Sequence, residues 1–132
     1  MATFPPAVLK SFDETKVVEI ETRSAKGTKH LIPIWIVVVD GVPYVRSVRG
    51  PSGRWYRELL ASGDGAVVVA GKRVPVRATK DSSAKAIEAV SEALRKKYAR
   101  SGQSLQSMLR PNVLDTTVRL DPSEVTRAAP KR

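Results

Sequence analysis

The 132-residue sequence contains no cysteine and a single histidine. The first absence excludes disulfides, thiolate nucleophiles and cysteine-held zinc or iron–sulfur centres; the second excludes His-rich metal sites. Long apolar runs are also missing. The longest, Leu31 to Val39, is about half of what a membrane-spanning helix needs. Met1 to Lys10 shows no basic start followed by an apolar stretch, so a soluble cytoplasmic protein without a signal peptide is the default expectation. Acid is scarce: 13 Asp and Glu face 23 Lys and Arg, for a net charge of +10 and a pI near 10.3. Such an imbalance points to an anionic partner. What remains is ordinary globular material, 42% hydrophobic and 27% charged, enough for one core and too short for two typical domains.

The hydrophobic pattern organises residues 1–122 as one domain and leaves 123–132 as a basic, mobile tail. Phe4, Pro5 and Pro6 read as an extended arm leading into a short amphipathic turn or helix with Val8, Leu9 and Phe12. From Lys16 to Arg23, Val18, Ile20 and Thr22 alternate with Glu19, Glu21 and Arg23, the period of a half-solvated strand. After the polar turn Ser24 to Lys29, the β-branched run Leu31 to Val39 lacks alternation and predicts one strand buried on both faces, with Pro33 placing its N-terminal half at an edge or bulge. Asp40-Gly41 is a hairpin signal, and Val42 to Val48 is the third strand. Ser52 is the expected N-cap of a short helix ending at Ala61 and closed by Gly63. Ala66 to Ala70 and Arg73 to Ala78 are two strands around Gly71-Lys72, Pro75 suggesting an edge. Asp81 or Ser82 is expected to cap a helix of roughly five turns with the stripe Ile87, Val90, Leu94, Tyr98. Leu114 to Leu120 is the last strand. The expectation is mostly β with α: a six-stranded antiparallel, closed or partly closed barrel with a short and a long helix.

Three chemical signals stand out. In Ser47-Val48-Arg49-Gly50-Pro51-Ser52-Gly53-Arg54-Trp55-Tyr56, a strand hands over to a helix start through glycines, so amides, hydroxyls and guanidinium forks can converge on one phosphate. Between Arg23 and Arg57 there are seven basic residues against one acid, Asp40, and Trp35, Tyr44, Trp55 and Tyr56 lie in the same stretch, able to border a planar ring or simply to fill the core. By contrast, Gly65 to Arg73 has the wrong spacing and no Ser or Thr for a P-loop. His30, Asp13, Glu14 and Asp64 form no triad, and His30 reads as a solvated loop residue. A basic nucleic-acid-binding module is the second reading, with weak and non-specific contact, because aromatics are not spread along the basic surfaces.

Ile20-Glu21-Thr22, Pro33-Ile34-Trp35, Tyr44 to Gly50, Arg54-Trp55-Tyr56, Lys97-Tyr98 and Thr117 to Pro122 resemble an uncharacterised family of small bacterial proteins, over roughly residues 12 to 122. That family is similar in turn to the flavin- and deazaflavin-binding split β-barrels, including pyridoxamine phosphate oxidase-like proteins and deazaflavin-dependent nitroreductases. The resemblance implies FMN or a deazaflavin as cofactor, with Lys29, Ser47, Arg49 and Arg54 at its phosphate, Gly50 also among the cofactor-binding residues, and Trp55 and Tyr56 at its ring or substrate. It further implies a homodimer with the cofactor between subunits, and either an oxidoreductase or a non-catalytic cofactor-binding protein.

Overall fold

The computed structural model describes residues 3–123; the tail expected over 123–132 therefore lies outside it except for Ser123. Seven antiparallel strands form one sheet: β1 (Val18–Arg23), β2 (Lys29–Ile34), β3 (Val37–Val39), β4 (Val42–Val45), β5 (Asp64–Val69), β6 (Lys72–Lys80) and β7 (Val118–Pro122), ordered β2-β1-β5-β6-β7-β4-β3. Five helices, α1 (Pro6–Glu14), α2 (Arg54–Ser62), α3 (Ala84–Lys97), α4 (Gln103–Ser107) and α5 (Pro111–Leu114), and a 3₁₀ turn at Gly50–Ser52 complete the described residues.

The seventh strand comes from one break. Leu31 to Val39 is not one strand but two, and β2 and β3 lie at opposite edges of the sheet with only Trp35 and Ile36 between them. Three Cα steps reach no more than about 11 Å. The two edges are therefore brought together at this corner, and the sheet curls into a half-barrel. Because β2 pairs only with β1, its outer face stays open and Leu31 is 51% exposed, contrary to a strand buried on both sides. Pro33 sits on that edge as expected.

Other boundaries shift for local reasons. Asp40 and Gly41 both have positive φ, 50° and 79°, the geometry of a tight primed hairpin turn. The following strand stops at Val45, because the Ser47 amide donates to the Thr116 hydroxyl instead of to a strand neighbour. Pro75 lies on the interior strand β6, not at an edge. It is tolerated because its carbonyl side faces Ser123, just past the end of β7, where no ladder amide is required. The last strand begins at Val118 rather than Leu114: Pro111 starts a helical turn, and Thr116 and Thr117 fold their hydroxyls back onto the carbonyls of Val113 and Leu114 at 2.6 and 2.7 Å. Ser83, not Asp81 or Ser82, caps α3 by accepting the Ala86 amide, and α3 has 14 residues, about four turns rather than five.

Two cores result. One joins Ile20, Val67, Val76 and Leu120 of the sheet to Phe12 of α1 and Leu59 of α2; the other joins Val37 and Tyr44 to Val90 and Leu94 of α3, to Tyr98 at its C-cap, and to Leu105 and Val113. The closing corner is pinned between them. Tyr98 stacks on Trp35 with ring centroids 3.9 Å apart, and Lys97 Nζ donates to the carbonyls of Phe12 and Ile36 at 2.8 and 2.7 Å. Burial lowers the Lys97 ammonium from its ordinary 10.5 to about 8. Between those values the unfolded chain binds the extra proton, so this group makes stability rise with pH. Urea melts between pH 8 and 10 are expected to show a gain on the order of 1 kcal/mol that Lys97→Met lacks; parallel pH slopes for the two proteins would contradict this.

Candidate functional site

The segment from Ser47 to Arg54 folds as a knot of short hydrogen bonds. Ser47 Oγ donates to the Gly50 carbonyl at 2.8 Å, the Gly50 amide donates to the Ser47 carbonyl at 2.8 Å, and the Gly53 amide donates to the Gly50 carbonyl at 3.2 Å. Two glycines are required here. Gly50 has φ +71°, and a Cβ would meet Asn112 Nδ2 at 2.8 Å; a Cβ on Gly53 would collide with Ser47 Oγ. The knot delivers the chain into α2, whose N-cap is Gly53. Ser52, expected to cap it, instead turns its hydroxyl onto the Arg49 carbonyl. With no side-chain cap, the first-turn amides of α2 are left open to an acceptor from outside the helix.

Gly53, Arg54 and Trp55 at that helix start line a cleft of about 770 Å³, within the range of small-molecule and cofactor sites. One wall is the knot and the start of α2, with Ser47, Arg49, Gly53, Arg54 and Trp55; the opposite wall is the end of β2 and the corner, with Ile32, Ile34 and Trp35. Ser104, Ser107 and Met108 close a third side. Four arginines line the cleft (Arg46, Arg49, Arg54 and Arg57), and no acid does among the described residues. Arg49, Arg54 and Arg57 are exposed, and none forms an ion pair among the described residues.

Arg46 is different: it is 2% exposed and donates to Thr117 Oγ1, the Met108 carbonyl and the Ile87 carbonyl at 2.8, 3.2 and 2.9 Å. Burial lowers its guanidinium to about 10. All three acceptors are neutral, so its charge is balanced by no carboxylate among the described residues and adds to the positive potential of the cleft floor.

Of the seven residues expected at the site, Ser47, Arg49, Arg54 and Trp55 line the cleft. Gly50 is behind them in the knot, and the one hydroxyl proton of Ser47 is spent inside it. Tyr56 is 5% exposed in the core, edge-on to Trp55. Lys29 lies on the far face of β2, where its charge helps Arg73 hold the Glu21 carboxyl below its usual range. Trp35 and Arg57 join the site beyond that set. Arg57 follows Arg54 by one helical turn, a spacing legible in the sequence, whereas Ser104 and Ser107 come from the short helix α4, whose sequence carries no such signal.

His30 is neither in a loop nor merely solvated. It opens β2 opposite Thr22, and its Nδ1 is 3.0 Å from Glu58 Oε1, which also accepts the Thr22 hydroxyl at 2.8 Å. The hydrogen bonds from His30 and Thr22, with the nearby Arg54, hold the Glu58 carboxyl below its usual range against the opposing effect of its own desolvation.

No helix among the described residues is long and apolar enough to cross a membrane. The fold is that of known split-barrel crystal structures. A candidate pyridoxamine 5'-phosphate oxidase from Listeria innocua aligns with a TM-score of 0.64 at 13% identity, over 89% of this chain and 91% of that one. The heme storage protein HutZ from Vibrio cholerae aligns at 0.61 and 15%, over 92% and 91%. An F420-H2 dependent reductase, FDR-A, aligns at 0.57 and 18%, over 79% and 91%. No curated protein sequence matches. At the sequence level, residues 8–120 match the bacterial family described as uncharacterized protein conserved in bacteria (DUF2255), and the chain belongs to that family.

Proposed function

We propose that the protein binds a flavin-type cofactor, FMN or a deazaflavin, in the cleft between α2 and the β2–β3 corner, and serves as an oxidoreductase. One observation carries this reading: a cleft of cofactor size that brings four arginines and an uncapped helix start together with two tryptophans, with no acid among the described residues of its lining. The cofactor phosphate goes to the first turn of α2 and to Arg49 and Arg54, and the ring lies against Trp35 and Trp55. When bound, the cofactor supplies the hydride chemistry. The chain positions it, shields one side with indole, and provides positive charge near the phosphate. Solved proteins of the same fold are named as a pyridoxamine 5'-phosphate oxidase candidate and an F420-H2 dependent reductase, which supports this class.

A second reading, cofactor holding without turnover, is favoured by the cleft lining, which among the described residues has neither histidine nor carboxylate for proton transfer. Both readings share the binding step. Titration with FMN and with a deazaflavin is expected to quench tryptophan fluorescence at one site per chain; no quenching by either would overturn the assignment. Steady hydride transfer to an acceptor then separates enzyme from carrier.

We also propose a homodimer formed through the open face of β2, where Leu31 is 51% exposed, and the cleft rim, where Val48 is 46% exposed. Light scattering at micromolar concentration is expected to give twice the 14.4 kDa chain mass; the single-chain mass would contradict it.

A further inference from the structure

Helix α2 carries two exposed arginines, Arg54 and Arg57, and a single acid, Glu58. Glu58 follows Arg54 by four residues, a spacing that brings opposite charges together on a helix surface, and the two side chains border one shallow depression beside α2. Yet among the described residues they form no ion pair. The carboxylate is held elsewhere. Its Oε1 accepts the Thr22 hydroxyl at 2.8 Å and lies 3.0 Å from His30 Nδ1, and its side chain is only 13% exposed.

The sheet sets these two partners side by side. Thr22 of β1 and His30 of β2 are opposite each other in the antiparallel register, which places their side chains on one face about 5 Å apart, close enough to reach the same oxygen. Thr22 is buried, so its hydroxyl needs an acceptor within the protein, and Glu58 supplies it. The chain's one histidine is committed to the same contact. A carboxylate released from that hold would have Arg54 as its neighbour on the helix. Arg54 lines the first cleft, and a guanidinium engaged by Glu58 is not open to a phosphate; affinity then falls with the fraction of molecules in which the pair is formed.

We propose that Thr22 and His30 are positioning residues for the first cleft: by drawing Glu58 onto the sheet they keep Arg54 free for the cofactor phosphate. The proposal rests on the reading of the first cleft given above. Neither residue lines that cleft; both act through Glu58 on Arg54.

The test uses the full-length protein, with FMN and a deazaflavin coenzyme as probes and tryptophan quenching as the readout. His30→Ala is expected to weaken binding roughly two- to fourfold at low salt, the share of Arg54 that a helix pair of this spacing can occupy. That loss should shrink as salt is raised. Thr22→Val, which keeps the branched shape and removes only the hydroxyl, should shift affinity in the same direction. His30→Asn, whose side-chain amide can donate where Nδ1 stands, should bind as the wild type does. The deciding variants are His30→Ala and Thr22→Val each combined with Glu58→Gln. With the negative charge removed, affinity should return to the wild-type value although the tie between α2 and the sheet is still broken. A tie that served only to hold the helix gives the opposite result, affinity staying low or falling further. Unchanged affinity in His30→Ala, or a loss that Glu58→Gln does not reverse, would overturn the inference while leaving the first cleft's assignment intact. Failure of both probes to bind the wild type would overturn that assignment and the inference with it.

Discussion

Tyr98→Ala is expected to lose about 3–5 kcal/mol of stability, the range for deleting a large buried aromatic side chain. The ring is 2% exposed and stacked on Trp35; its hydroxyl donates to the Lys16 carbonyl at 2.7 Å and accepts the Ile36 amide at 3.3 Å. The contacts with Trp35 and Ile36 lie at the corner where β2 passes into β3, and the Lys16 contact ties it to the start of β1, so the loss also unfastens this corner and frees Trp35 from the cleft wall. Tyr98→Phe keeps the packing and strands only the hydrogen bonds, for a loss of about 1–3 kcal/mol. Urea denaturation read by tryptophan fluorescence measures both. Losses below about 1 kcal/mol for the Ala variant would mean that the corner is not held from α3.

Arg49→Ala is expected to weaken cofactor binding roughly ten- to a hundredfold, corresponding to about 1.5–3 kcal/mol for a charge-assisted hydrogen bond to phosphate. The guanidinium is exposed and unpaired among the described residues, so the fold loses nothing, and an unchanged melting temperature separates this effect from instability. Arg49→Lys keeps the charge without the fork and should recover part of the affinity. Unchanged affinity in the Ala variant would remove Arg49 from the site.

The class of fold was legible because most strands alternate cleanly and because Asp40-Gly41, Gly63 and the stripe Val90, Leu94, Tyr98 are local signals. The break at Trp35-Ile36 was not. Nothing in nine consecutive β-branched and apolar residues marks where a chain leaves one sheet edge for the other; the bend is imposed from α3, some sixty residues away, by Tyr98 and Lys97. The cleft followed the same division. Ser47, Arg49, Arg54 and Trp55 cluster within one turn and helix start, so spacing alone brought them together. Trp35 and Ser104 reach the same space only through the curling of the sheet, and the Thr22–Glu58–His30 contact depends on α2 lying across β1 and β2. Lys29 was placed by resemblance, and strand alternation put it on the opposite face.

The central claim is that the cleft at the start of α2 holds the phosphate of a flavin-type cofactor. A crystal structure of the protein with bound cofactor tests it most directly. The account predicts phosphate oxygens within about 2.7–3.2 Å of the first-turn amides of α2 and of Arg49 or Arg54, with the ring against Trp35 or Trp55. A cofactor found elsewhere on the surface, or a phosphate that leaves those amides and both arginines unengaged, would contradict it.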